Sequence, residues 1–369
     1  MRVLHVIDKS FIGGGQVNVR NLLEGLSGLG IELHLACRDG GPLVGWVRAL
    51  GIPVHPVAFD KHFRPGPARA VARIAHSERI DLVHGHGLVA TFYCVLARTF
   101  FGLRAPVLYH QHGFHHRNYG AATVGLRKRA ERWVCQRVER VIASSRDDCV
   151  TLVTKGYAAP QRVSLLHNGI PEPIPTSDES AQARAAIPFV GKAPIVGIVS
   201  RLHVQKGIDT FLRAAARVQA AAPEARFVVV GSGEIEAEMR TLASDLGLDA
   251  VLAFAGSLPS RACHPLFDVA VMSSRWEGLP ITLLEYMAAR RPIAITAVGG
   301  CVEAVGPEEA ELVPMDDPEA LSDAILRLLR DPGLARKRAE AARRRFEAVF
   351  TLPVIAAQYL GLYREVLSR

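Results

Sequence analysis

Short apolar runs alternate with longer amphipathic stretches along the whole chain. In the first half, "RVLHVI", "IELHLAC", "DLVHGH", "PVLYHQH" and "RVIASS" predict strands; in the second, "PIVGIVS", "RFVVVG", "VLAFAG", "VAVMSS" and "PIAIT" do the same. Several lack polar alternation, the pattern of strands covered on both faces. Stretches such as "GIDTFLRAAARVQAAA" separate them and read as amphipathic helices. This alternation predicts an α/β protein with two parallel, doubly wound sheets. Ligands of such sheets bind beyond the carboxyl ends of the strands, so two facing domains are expected to create a cleft there. No tandem repeat of solenoid type occurs.

Length supports the division, since 369 residues exceed what one core usually organises. The segment "PEPIPTSDESAQARAAIPFVGKAP" (171–194) is rich in Pro, Ser and charge and suits an interdomain connection. Apolar residues make up 49% of the chain, yet no run approaches a membrane span. The most apolar stretch, "LVATFYCVLARTFFG", is short and contains Arg98. The first residues, "MRVLHVIDKSFIGGG", predict a strand and a glycine loop rather than a signal peptide. Six scattered cysteines without a CxxC suggest reduced thiols in a cytoplasmic protein and argue against a zinc site.

Charge is unevenly distributed. Residues 1–168 carry 22 Lys and Arg against 11 Asp and Glu, or +11; the remainder carries 22 against 25, or −3, giving the total of +8. The first half also holds twelve of the fourteen histidines. The asymmetry points to an anionic partner for the first half. A nucleic acid is not indicated, because no helix-turn-helix, zinc-finger or RNA-binding signature is present. Much of the excess lies in "LRKRAERWVCQRVER" (126–140). There Leu126, Ala130, Trp133 and Val134 form a helical stripe expected to pack inward, leaving Lys128, Arg129, Arg132 and Arg140 mostly outside it. Such a face is either an ordinary solvated surface or a dock for an anionic bilayer.

Four segments carry candidate chemistry. "DKSFIGGGQVNVRNLL" sets Gly13, Gly14 and Gly15 between a strand and a helix. It is either a flexible turn or a loop whose backbone N–H groups meet an anion. It is neither a GxGxxG fingerprint nor a Walker loop. "YHQHGFHH" ends a strand, and alternation places His110 and His112 on the same face. Metal binding is disfavoured there, for want of a nearby Cys or acidic ligand. "SRLHVQKGID" places Arg201 and Lys206 between a strand and a helix, where they form either a solvated loop or a diphosphate site.

The fourth segment, "SRWEGLPITLLEY", holds Glu277 and Glu285 eight positions apart. Pro280 suits a first helical turn, Gly278 permits a close approach before it, and Arg290, Arg291 and Pro292 mark the end. Ile281, Leu284 and Ala288 share a face that includes Glu285. A carboxylate there is either a structural ion-pair partner or a ligand-holding group. With Pro280 opening the helix, N–H groups near Gly278 and Leu279 are also expected to point at an anion.

Together these segments resemble the retaining glycosyltransferases of family 4. Glu277…Glu285 matches their E-x7-E pattern, and "SRLHVQKG" their G-R-L-x-x-x-K-G, with Ser200 in place of the first Gly. "HNGI" (167–170), "VVVGSGE", "VGGCVEAV" and the last helix, "FTLPVIAAQYLGLYREVL", resemble their later features. The resemblance implies the GT-B fold, two Rossmann-like domains facing a cleft. Residues 1–168 would bind the acceptor, 169–350 the nucleotide sugar, and 351–369 would form a helix crossing back to the first domain.

It further implies catalytic roles for Glu277 and His112 at the transferred sugar. Glu285 would meet the ribose, Arg201 and Lys206 the diphosphate, and Gly278, Leu279 and Gly15 the donor, with Gly13 and Gly14 towards the acceptor. As a continuous helix, Glu277 to Glu285 would rise about 12 Å. Hydrolytic acid pairs lie roughly 5 to 9.5 Å apart, so these two suit separate tasks. The implied reaction moves a sugar, with retention, from a nucleoside-diphosphate sugar to a glycan or lipid-linked acceptor. Cell-surface polysaccharide or lipopolysaccharide synthesis is the implied setting, in the cytoplasm or peripherally at the inner face of the cell membrane. No D-x-D occurs, so no cofactor is expected and the reaction is expected to be metal-independent. A non-catalytic sugar-nucleotide-binding protein is the alternative. An NAD-type oxidoreductase would require a glycine spacing that "GGGQVN" does not have.

Overall fold

The computed structural model describes residues 1–11, 13–59, 64–113 and 121–368. The chain forms two compact units, Met1–Pro171 with Leu352–Arg369, and Glu172–Thr351. The first unit is built on β1 (Arg2–Ile7), β2 (Glu32–Cys37), β3 (Val54–Pro56), β4 (Leu82–His86), β5 (Val107–Gln111), β6 (Arg140–Ala143) and β7 (Val163–Leu165). These pair in parallel in the order β3-β2-β1-β4-β5-β6-β7. The second contains β8 (Ile195–Val199), β9 (Arg226–Val230), β10 (Leu252–Gly256), β11 (Val269–Met272), β12 (Ile293–Thr296) and β13 (Glu311–Val313). They too are parallel, in the order β10-β9-β8-β11-β12-β13. These are two Rossmann-like, doubly wound sheets.

All ten expected strands form. Three short ones, β3, β7 and β13, escape the hydropathy pattern because each has only three residues. Apolar side chains pack against both faces of the first sheet. In the first unit, Leu4, Val6, Val83 and Tyr109 enter one layer, while Val3, Ile7, Leu82 and Leu108 enter the other. Each such side chain, fully buried, contributes about 1.5–3 kcal/mol. The second layer is closed by two helices, Gly14–Leu26 and Leu352–Leu367. They pack so closely that a methyl on Gly25 would lie 3.3 Å from Ala356 Cβ.

Several local expectations are corrected. Gly14 and Gly15 are the first residues of the Gly14–Leu26 helix rather than loop residues, and only Gly13 caps it, in an extended conformation. The 171–194 stretch is not a simple connection, because Ser177–Ala186 is helical, with a Thr176–Glu179 capping box. Leu126 is 60% or more exposed, at 63%, rather than packed inward. Arg140 is buried at the start of β6 and paired with Glu365 at 2.6 Å, so it is no part of a basic face. No described helix is long and apolar enough to cross a membrane.

Candidate functional site

In both sheets the strand order reverses about one pair, β1 with β4 and β8 with β11. Crossover helices leave to opposite faces at such a point, which opens a crevice beyond the strand ends. The candidate residues are placed by these ends.

In the second unit, β8 leads through Ser200 and Arg201 to the turn Val204–Lys206. Gly207 follows with φ +58, and a methyl there would lie 2.1 Å from Ser273 O. Only glycine allows this left-handed turn against the strand-β11 exit. Ser273 Oγ donates to the carbonyls of Lys206 and Gly207, and Arg275 N donates to Gln205 O at 2.7 Å. The two strand ends are thereby laced together.

Lys206 consequently meets Glu277, with Nζ 2.5 Å from Oε1. Ser274 Oγ also donates to Oε1, at 2.7 Å, and Gln205 Nε2 reaches Oε2 at 3.4 Å. Only 7% of the Glu277 side chain is exposed. Gly299, at φ +46, would bring a methyl within 1.9 Å of Glu277 O, and Gly300 N donates to Gly278 O. The glycines of "VGGCVEAV" thus press directly on the Glu277–Gly278 backbone. Arg201 is exposed, and Leu279 is buried.

The helix after this turn is Ile281–Ala288, with Pro280 at its cap position, one place earlier than expected. It ends before Arg290, which takes a left-handed φ of +52. Glu277 therefore lies outside the helix, and the helical rise does not measure its separation from Glu285. Leu283, Leu284, Tyr286 and Met287 form the buried face. Glu285 lies at its edge with Ile281, one turn away, both half-buried. Ser260 Oγ donates to Glu285 Oε1 at 2.9 Å, and His264 Nε2 lies 3.9 Å from Oε2. Burial raises the Glu285 carboxyl to about 7. Arg261, next to Ser260, is fixed by a fork of 2.8 and 2.6 Å to Glu179. Ser260, Ser274, Gln205 and His264 were not singled out from sequence, since none stands in a distinctive spacing.

In the first unit, His112 follows the end of β5, and Gly15 is its neighbour: a methyl on Gly15 would lie 3.6 Å from His112 Cδ2. A methyl on Gly14 would meet nothing within 4 Å among the described residues, and one on Gly13 would meet Gln16 Oε1 at 2.8 Å. His110 stacks on His112 with centroids 4.1 Å apart, as strand alternation predicts. Phe114, His115 and His116 of the histidine-rich stretch lie outside the described residues. The "HNGI" segment ties this unit together. Asn18 donates to Asn168 Oδ1, Asn21 donates to Gly169 O at 3.2 Å, and a methyl on Gly169 would lie 2.9 Å from Ile355.

Comparison with known proteins adds to this geometry. Residues 179–345 match the family described as glycosyl transferases group 1, and residues 12–172 match glycosyltransferase family 4. The α-D-kanosaminyltransferase of Streptomyces kanamyceticus is 31% identical over 178 residues, 47% of this chain and 46% of that protein. The match spans about half the length of that relative. A D-inositol 3-phosphate glycosyltransferase of Corynebacterium urealyticum is 27% identical over 388 residues, covering 96% of this chain and 91% of that one. Among solved structures, HepE of Anabaena in complex with UDP-glucose aligns over 99% of this chain and 100% of its own, with a TM-score of 0.85 and 19% identity.

Proposed function

The chain belongs to glycosyltransferase family 4 and has the GT-B fold, and from that premise we propose that it transfers a sugar, with retention, from a nucleoside-diphosphate sugar to a glycan or lipid-linked acceptor. The observation carrying this reading is the second unit's switch point, where Lys206, Glu277 and the Glu285 helix are laced to the ends of β8 and β11. Departure of the nucleoside diphosphate builds negative charge on its phosphates. Arg201 and Lys206 are the cations at that strand end, and fixed charges aimed at developing charge lower a barrier most effectively. Glu277, held by Lys206 and Ser274, is assigned to the hydroxyls of the donor sugar. Glu285 is assigned to the ribose hydroxyls, which would donate to its carboxylate. His112 is assigned to the transferred sugar, with Gly15 beside it; Gly13 and Gly14 are assigned to the acceptor side. The cations on the diphosphate support metal-independent transfer.

The charge excess of the first half supports an anionic acceptor environment. Along the Ala121–Cys135 helix, Leu126, Lys128 and Arg129 are all exposed, with Arg129 one turn from Leu126. Arg132 is engaged with the carbonyls of Lys155 and Gly156, so Lys128 and Arg129 are the cations assigned to an anionic membrane surface, consistent with cell-surface polysaccharide or lipopolysaccharide synthesis. A panel of uridine, guanosine and adenosine diphosphate sugars tests the donor class through thermal stabilisation. A ligand at 100 times its dissociation constant adds about 2.7 kcal/mol. Stabilisation by one of them, with release of its diphosphate, is expected. Binding without any turnover would identify a non-catalytic binder instead.

A further inference from the structure

Five buried or half-buried histidines share one face of the first sheet. The parallel register pairs His5 with His84 and His86 with His110, and alternation places His112 on the same side. Their face is the one covered by the Leu352–Leu367 helix, which contributes Tyr359 and Tyr363. Two hydrogen bonds link three of the rings in series: His5 Nδ1 to His86 Nε2 at 2.9 Å, and His86 Nδ1 to His112 Nε2 at 3.2 Å. His84 Nδ1 and His110 Nδ1 instead face the hydroxyls of Tyr363 and Tyr359, at 2.7 and 3.3 Å.

We infer that His5 and His86 are positioning residues that hold His112 as the Nδ1–H tautomer, so that His112 turns a donor rather than a lone pair towards its ligand. With all three rings neutral, each imidazole has one donor and one acceptor, and the series admits only two directions. Running from His5 outward, each Nδ1–H donates to the next Nε2. The far end is then the bare lone pair of His5 Nε2. Running inward, the far end is instead an N–H on that same atom. His5 Nε2 is fully buried and makes no hydrogen bond among the described residues. A buried orphan donor is the rarer and costlier defect, so the outward direction prevails. Burial keeps His5 and His86 neutral, pulling the first down to about 3 and the second well below the usual histidine value.

The same rings contain two sets of three whose nitrogens lie within 4.8 Å of one another, which raises the question of a metal. A separation of 2.9 Å is that of a shared proton. Zinc bonds of 2.0–2.1 Å in a tetrahedron would hold the nitrogens about 3.4 Å apart. In the second set His86 Nδ1 and His112 Nε2 lie 3.2 Å apart, again a hydrogen-bond distance.

The catalytic consequence rests on assigning His112 to the transferred sugar; the tautomer itself does not. Long-range proton–nitrogen NMR on the full chain, labelled with 15N-histidine, reads each tautomer directly. His112, assigned by loss of its signals in His112→Gln, is expected with its proton on Nδ1. In His86→Phe, which removes the donor to Nε2, the Nε2–H form should appear. His86→Gln, whose amide can donate, should restore the Nδ1–H pattern and the turnover. A wild-type His112 protonated on Nε2 overturns the inference, as does stoichiometric zinc binding that shifts the His5 and His86 signals. A tautomer that shifts in His86→Phe with no change in turnover upholds the ladder and removes the sugar role of His112.

Discussion

Lys206 Nζ and Glu277 Oε1 lie 2.5 Å apart, joining the exit of β8 to the exit of β11. The pair is mostly buried, with side-chain exposures of 21% and 7%. In the reaction proposed, Lys206 also serves the diphosphate, so one ammonium group links the charge of the leaving group to the acid assigned to the sugar.

Removing one member of such a pair leaves the other without its counter-charge. Lys206→Ala should destabilise the protein by about 1–3 kcal/mol, at the lower end because Ser274 and Gln205 still hold Glu277. Glu277→Gln should cost less, since it leaves the more exposed partner unpaired. Urea unfolding of both variants checks the order; an equal or reversed effect would contradict it, and no loss in either variant would show that the pair is energetically idle.

The two acids should separate kinetically. Glu277→Gln is expected to lower turnover while leaving affinity for the bare nucleoside diphosphate nearly unchanged. Glu285→Gln is expected to weaken that affinity, since a neutral amide replaces the acceptor for the ribose hydroxyls. Titration calorimetry decides the matter, and equal losses in both variants would refute the division.

Stability should depend on pH through two opposed sets of buried groups. His5 and His264 are held down to about 3, with His84, His86 and His110 also lowered. A lowered histidine gives stability that is present above its unfolded value of about 6.5 and lost as pH falls towards the folded one. Glu285 and Glu131, raised to about 7 by burial, act the other way. Their contribution is full below about 4.5 and is lost as pH rises through 7. The histidines outnumber them, so the wild type should lose stability from about pH 6.5 to 4.5. Glu285→Gln removes an opposing group and should steepen that loss by less than about 1.4 kcal/mol per pH unit, because a fifth of its side chain is exposed. Melting temperatures across this range check the sign. A shallower acid limb in the variant would contradict the assignment.

Binding to anionic liposomes should be salt-sensitive and should weaken when Lys128→Glu and Arg129→Glu are combined. Each basic residue near such a surface contributes about 1 kcal/mol. If the wild type fails to co-sediment at low salt, the membrane proposal is wrong and a soluble acceptor is the better assignment.

The alternating pattern was sufficient for the sheets, because strands buried on both faces must be continuously apolar and the helices between them cannot be. It was insufficient for three-residue edge strands, and for Leu126, which periodicity assigned to a core that does not cover it. Glu277 and Glu285 were legible as a spaced pair. The Glu277–Lys206 contact was not, since it depends on Gly207 turning the chain against Ser273. The histidine ladder lay in plain view within "DLVHGH" and "YHQH". Recognising it required knowing that β4 lies between β1 and β5, which is a matter of strand order rather than local pattern.

The proposed role of Arg201 and Lys206 is to stabilise a departing nucleoside diphosphate. Its most direct test is the rate of diphosphate release from the stabilising nucleotide sugar, for the wild type and for Arg201→Ala combined with Lys206→Ala. Loss of electrostatic stabilisation of this kind costs about 3 kcal/mol, or roughly 10²–10³ in turnover. A fall of that order is expected in a variant whose circular dichroism is unchanged; wild-type turnover in the same folded variant would mean that these two cations do not stabilise the leaving group.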